Sequence, residues 1–142
     1  MSELRRLLED GLPPGVYRWG SAANPDKARR DVQESGWNFV LLDTTGVGDK
    51  IGFLDACATA FDLPRWFGRN WDALADALQD LSWLRGDGYF IHLRDAGSAA
   101  RGLGRDWATL LEVLQRTAQY WKAHGKAFVV LVDNVSELPP WI

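Results

Sequence analysis

Three apolar runs constrain this chain most: Trp37-Asn38-Phe39-Val40-Leu41-Leu42-Asp43, Tyr89-Phe90-Ile91-His92-Leu93 and Phe128-Val129-Val130-Leu131-Val132. The first and last are too apolar for a strand wet on one side and read as strands covered on both faces. Covering helices lie between them. Ile51 to Phe61 places Phe53, Leu54, Cys57 and Phe61 on one helical face. Asp106 to His124 repeats Trp107, Leu111, Leu114, Ala118 and Trp121 at spacings of three and four, and Gly125 follows as a stop. Strands that alternate with such helices predict a layered α/β fold.

Upstream of the first long run, residues 2–9 read as a short amphipathic helix with Leu4, Leu7 and Leu8 on one side, ended by the Gly11–Gly15 segment and its two prolines. Val16-Tyr17-Arg18-Trp19 is a brief alternating run suited to an edge strand. Asn24 before Pro25 predicts an N-cap with proline at the first helical position, and Gly36 closes that helix. Residues 1–36 are thus expected to pack as a β-α extension on one domain spanning 1–142. Thr44 to Gly48 reads as a turn, and Gly86 to Gly88 as a break before the second long run. The Gly- and Ala-rich stretch 95–105, flanked by Arg94, Arg101 and Arg105, reads as an exposed loop with solvated arginines. Residues 134–142, with Trp141 and Ile142 after Pro139 and Pro140, read as a tail pinned to the body.

At 142 residues, 46% hydrophobic and 25% charged, the chain is long enough to bury about two-thirds of its extended surface. A net charge of −3 argues against direct nucleic-acid binding. Cys57 is the single cysteine, so no internal disulfide forms, which suits a reducing compartment. The first ten residues carry no secretory apolar core, and no segment approaches a membrane span. A cytoplasmic protein with no membrane contact is expected.

Function points to Leu63-Pro64-Arg65-Trp66-Phe67-Gly68-Arg69-Asn70-Trp71-Asp72-Ala73-Leu74 and the helix it opens. Asp72, Asp76 and Asp80 recur every four residues, a step of about 400°, and form one stripe. Leu74, Leu78 and Leu81 lie opposite, where they can anchor the helix to a core. No Lys or Arg occurs between Asn70 and Leu84. Like charges at this spacing cost about 0.2–0.5 kcal/mol per pair. A helix that carries this cost beside Trp66, Phe67 and Trp71 reads as a docking surface for a cationic partner. Asn70 is placed as its N-cap, and Gly68 is expected to need a positive φ.

The same stretch, with Leu-Pro, two aromatics, Gly68, Asn70, Asp72-Ala73-Leu74 and then Asp76-Ala77-Leu78, resembles the barstar family of intracellular inhibitors of secreted microbial guanyl-specific ribonucleases. The resemblance spans residues 37–133. It implies a small parallel sheet of three strands packed with helices, to which the N-terminal unit would add a fourth. It also implies that the protein inhibits by one-to-one binding and occludes the nuclease active site. The leading role falls to Asp76 with Asp72 beside it, Asn70 and Trp71 contribute at the helix start, and Trp66 stacks near the cleft. Gln79 falls at a family contact position as well, and Asp80 extends the acidic stripe. Ala75 stands where the family has a contact aromatic, and a second such position falls on Leu81, or on Trp83 if the alignment slips by two. Two acidic contact positions on the long helix fall near Tyr120 and His124. The central acids persist while the rim is thinner, so a regulatory module with a non-nuclease partner is the alternative.

Enzyme chemistry finds no support. His92 in a strand reads as structural, His124 suits a helix C-terminus, and Cys57 reads as a small buried hydrophobe. No spacing of Cys and His suits a metal, and Gly46, Gly48 and Lys50 lack the rest of a phosphate loop. Neither cofactor nor metal is expected.

Overall fold

The structure, a computed structural model, describes residues 15–18, 25–64, 67–84 and 86–133. The expected helix over 2–9, the Asn24 cap and the tail 134–142 lie outside them. The described chain runs β1 (Gly15–Arg18), α1 (Pro25–Glu34), β2 (Asn38–Asp43), α2 (Lys50–Ala60), α3 (Trp71–Leu78), β3 (Gly88–Arg94), α4 (Ala96–Leu103), α5 (Asp106–Ala123) and β4 (Ala127–Val132). The four strands form one parallel sheet in the order β1-β4-β3-β2. The fourth strand is thus present, paired to β4 from Gly15↔Val129 through Arg18↔Val132.

The strand order explains α1. It connects β1 at one edge to β2 at the other, so the chain must cross the sheet. Ten helical residues span about 15 Å, and three gaps between four strands span about 14 Å. Val32 of α1 packs with Phe90, Val129 and Leu131 on this face, with Tyr17, Trp37 and Phe39 around it. Alternate residues of the same strands, Tyr89, Ile91, Leu93, Phe128, Val130 and Val132, point into the larger core on the other face. There Phe53, Leu54 and Cys57 of α2 meet Leu74 and Leu78 of α3 and Leu110, Leu114 and Trp121 of α5. The pleat divides each strand between two cores, which is why the sheet runs lack polar alternation.

A side-chain cap starts α2, and the glycine expected as a stop follows α5. The Asp49 carboxylate accepts the Gly52 N–H at 2.7 Å and starts α2. Gly125 follows the His124 cap of α5 with φ +76°, a left-handed conformation that suits glycine. Burial pushes the Cys57 thiol far above its ordinary pKa, in keeping with an inert packing residue.

The stretch 95–105 differs from expectation. Residues 96–103 form α4, with Ala96, Ala99 and Leu103 buried. Small side chains give a weak periodic signal but allow close approach: a Cβ on Gly102 would sit 2.6 Å from the Val47 carbonyl oxygen. Arg94, Arg101 and Arg105 remain exposed.

His92 faces the α1 side of β3 and is 4% exposed, with Nε2 3.6 Å from the Asp133 carboxylate. Asp133 also accepts the Ala96 N–H at 2.9 Å, tying the end of β4 to the start of α4. Burial raises the Asp133 pKa, but hydrogen bonds from the His92 side chain and the Ala96 and Asp95 N–H groups outweigh it and hold the carboxyl below its usual range.

Two outcomes follow. Gly102→Ala should cost about 1–3 kcal/mol in urea denaturation, because backbone rather than a movable side chain meets the new methyl. The folded pKa of Asp133 lies below its unfolded value, so its stabilisation is full above the unfolded pKa and is lost as pH falls through the folded one. The gap in melting temperature between wild type and Asp133→Asn should therefore close on acidification; a gap constant with pH would contradict this.

Candidate functional site

Helix α3 begins where the sequence places it. Asn70 has extended backbone (φ −142°, ψ 171°), and its Oδ1 accepts the Ala73 N–H at 2.7 Å. Its Nδ2 donates to the Gly68 carbonyl at 3.2 Å, so one side chain both caps the helix and holds the preceding turn. The strained residue in that turn is Arg69 (φ +50°), not Gly68, whose φ is not positive. Arg69 Nε is held 3.2 Å from the Asp55 carboxylate of α2, with both side chains exposed. The exposed pair contributes about 0–1 kcal/mol at a position where backbone preference alone would have favoured glycine.

One face of α3 is locked into the core. Leu74, Ala77 and Leu78 are buried. The Trp121 indole N–H of α5 donates to the Leu78 carbonyl at 2.8 Å, satisfying one of the carbonyls a helix C-terminus leaves open. The Trp83 indole N–H likewise donates to the Phe61 carbonyl at 2.8 Å. The helix ends earlier than the acidic stripe. Gln79 is its C-cap, half-buried, and Asp80 lies just beyond on the exposed turn. Leu81, expected at a partner contact through the family pattern, is 0% exposed with φ +45° and belongs to the core. The turn after Gln79 directs it inward, as its alignment with Leu74 and Leu78 anticipates.

The opposite face presents Asp72 and Asp76 to solvent with Ala75 half-buried between them. Among the described residues, no ion pair reaches Asp72, Asp76 or Asp80. Asp72 in the first turn gains from the helix dipole, whereas Asp76 and Asp80 do not. Asp80 neighbours Tyr89: burial first and the Asp80 charge second push that phenol above its ordinary pKa.

Trp71 is half-buried at the start of α3. Its ring leans on Phe53 at 6.1 Å, and the Lys50 ammonium lies 5.6 Å from its centroid. Its indole N–H is enclosed without an acceptor among the described residues, a condition that costs about 1–3 kcal/mol. Trp66 lies outside the described residues. Near the end of α5, Tyr120 and His124 stack with centroids 4.2 Å apart, and His124 Nδ1 is 2.8 Å from the Tyr120 carbonyl oxygen. Aromatic rings stand where the family pattern has acids.

The structure thus brings Asn70, Trp71, Asp72, Ala75, Asp76, Gln79 and Asp80 onto one segment and withdraws Leu81. Sequence reading missed Lys50 over Trp71, because twenty-one positions separate two residues with no local pattern to join them. Among the described residues no group of His, Cys, Asp and Glu could hold a metal, and no helix is long and apolar enough to cross a membrane.

Asn70→Ala should lower stability by about 0.5–2 kcal/mol. Urea denaturation would reveal this, and a loss below a few tenths would show that the cap contributes little.

Comparison with protein-family models matches residues 37–133, more than half the chain, to Barstar (barnase inhibitor). A search of curated proteins finds no match.

Proposed function

The chain belongs to the barstar family, and from that premise we propose that it inhibits a microbial guanyl-specific ribonuclease by reversible one-to-one binding, with α3 over the active site. The observation that carries this reading is the pair Asp72 and Asp76, exposed and without ion-pair partners among the described residues, on a helix whose other face is buried.

The chemistry is complementary. A nuclease that cleaves a phosphodiester presents cationic groups to the phosphate. Carboxylates planted among them imitate that charge and leave no room for RNA. Opposed fields also speed encounter, which protects a cell that makes a toxic enzyme. Asp76 carries the main contact, Asp72 and Asn70 flank it, and Trp71, Trp66 and Gln79 supply surrounding area. Asp80 extends the charge beyond the helix end. No bond is made or broken, and no cofactor takes part. The secreted enzyme would be met in the cytoplasm of its producer.

Ala75 in place of a family aromatic, the burial of Leu81 and the Tyr120–His124 stack favour a second reading, a regulatory module for a different basic protein. It uses the same acidic face with a different rim.

Calorimetric titration against barnase and other purified guanyl-specific ribonucleases separates the two. One-to-one binding is expected, and Asp76→Ala should weaken it by more than about 2 kcal/mol, roughly thirtyfold. The hot-spot scale used here derives in part from the family's namesake complex and sets a magnitude only. A loss below about tenfold would remove Asp76 from its role; absence of binding to the whole panel would favour the regulatory reading.

A further inference from the structure

We propose that Lys50, held over Trp71, determines specificity on the α3 face: it selects a partner that is basic opposite Asp76 but offers an acidic side chain opposite Lys50. This inference rests on the inhibitor reading above.

Two features meet at the Trp71 end of the face, and an exposed apolar residue follows in α2. The Lys50 ammonium lies 5.6 Å from the Trp71 ring centroid, and no ion pair joins it to Asp72, Asp76 or Asp80. An aromatic face attracts a cation without neutralising it, so this charge is still presented to whatever docks. The Trp71 indole N–H, on the same ring, is enclosed without an acceptor among the described residues. Ile51, the next residue of α2, is 50% exposed, the one large apolar side chain so exposed among the described residues. A carboxylate offers the ammonium a charged acceptor, while its aliphatic stem suits an apolar neighbour. The ring itself is a stable platform, because it leans on fully buried Phe53.

Two further cations lie near α3 among the described residues. Arg69 is engaged by Asp55 at 3.2 Å. The Lys126 ammonium lies over Tyr89 and Trp121, 5.8 Å from each centroid, and Trp121 donates to the Leu78 carbonyl at the other end of α3. The positive end of the α3 dipole is capped by an uncharged Asn70 and adds to the Lys50 field. From Trp71 to Asp76 the helix rises about 7.5 Å, close to the roughly 8 Å over which physiological salt screens exposed charges. The Lys50 charge therefore acts on a partner chiefly at the Trp71 end and opposes the field of the carboxylates there. A surface basic throughout gains at Asp76 and is repelled at Lys50.

The test measures barnase association by surface plasmon resonance, at low and high salt, with the wild-type chain, Lys50→Met, Lys50→Glu and Asp76→Ala. Near-UV circular dichroism confirms that each variant is folded. Against a nuclease face that is cationic throughout, relief of repulsion should strengthen binding in the order Lys50→Glu, Lys50→Met, wild type. The first step above wild type should be severalfold and the total about tenfold at low salt, shrinking at high salt. Any other order overturns the inference. If Asp76→Ala still abolishes binding in that case, the inhibitor reading stands without it. If neither the wild type nor Lys50→Glu binds, the inhibitor reading falls and takes this inference with it.

Discussion

The hydrogen bond from the Trp121 indole to the Leu78 carbonyl, backed by burial of Leu74 and Leu78, is the contact on which the acidic face depends. Two exposed carboxylates one turn apart weaken an isolated helix, and eight residues are too few to be stable alone in water. Helix α3 persists because its apolar face contributes several buried side chains to the core and because α5 closes its C-terminus. Asn70 does the same at the other end, and the Arg69–Asp55 pair anchors the turn before it to α2. Charge is displayed on a support that the charge itself did not build.

That support extends through the sheet. Helices α2, α3 and α5 share one core with the inward residues of β2, β3 and β4. On the other face, Val32 of α1 covers Phe90, Val129 and Leu131. The family match begins at residue 37, so β1 and α1 precede the matched region. They pair β4 on its second edge and cover strand residues that would otherwise meet water. The His92–Asp133–Ala96 contacts then link the ends of β3 and β4 to α4.

The strands and long helices were legible because their signals are dense: apolar runs for β2, β3 and β4, and a repeating stripe over eighteen residues for α5. Asn70 was legible as a cap because its side chain acts on residues adjacent in sequence. Helix α4 was not, since Ala and Gly mark a face poorly even when they pack tightly. Gly68 drew the positive φ that Arg69 adopts, because glycine is the residue that takes this conformation at least cost. The residues around Asp80 were read as continuous helix, whereas the chain turns at Gln79 and carries Leu81 inward. The Lys50–Trp71 contact is purely tertiary and leaves no trace in sequence spacing.

The inhibitor proposal rests on a charged helix face held open by its own core. The most direct measurement is cleavage of RNA by barnase during stepwise addition of this protein. Occlusion by α3 predicts that activity falls linearly and vanishes near one equivalent. Full nuclease activity in the presence of a large excess would contradict the account.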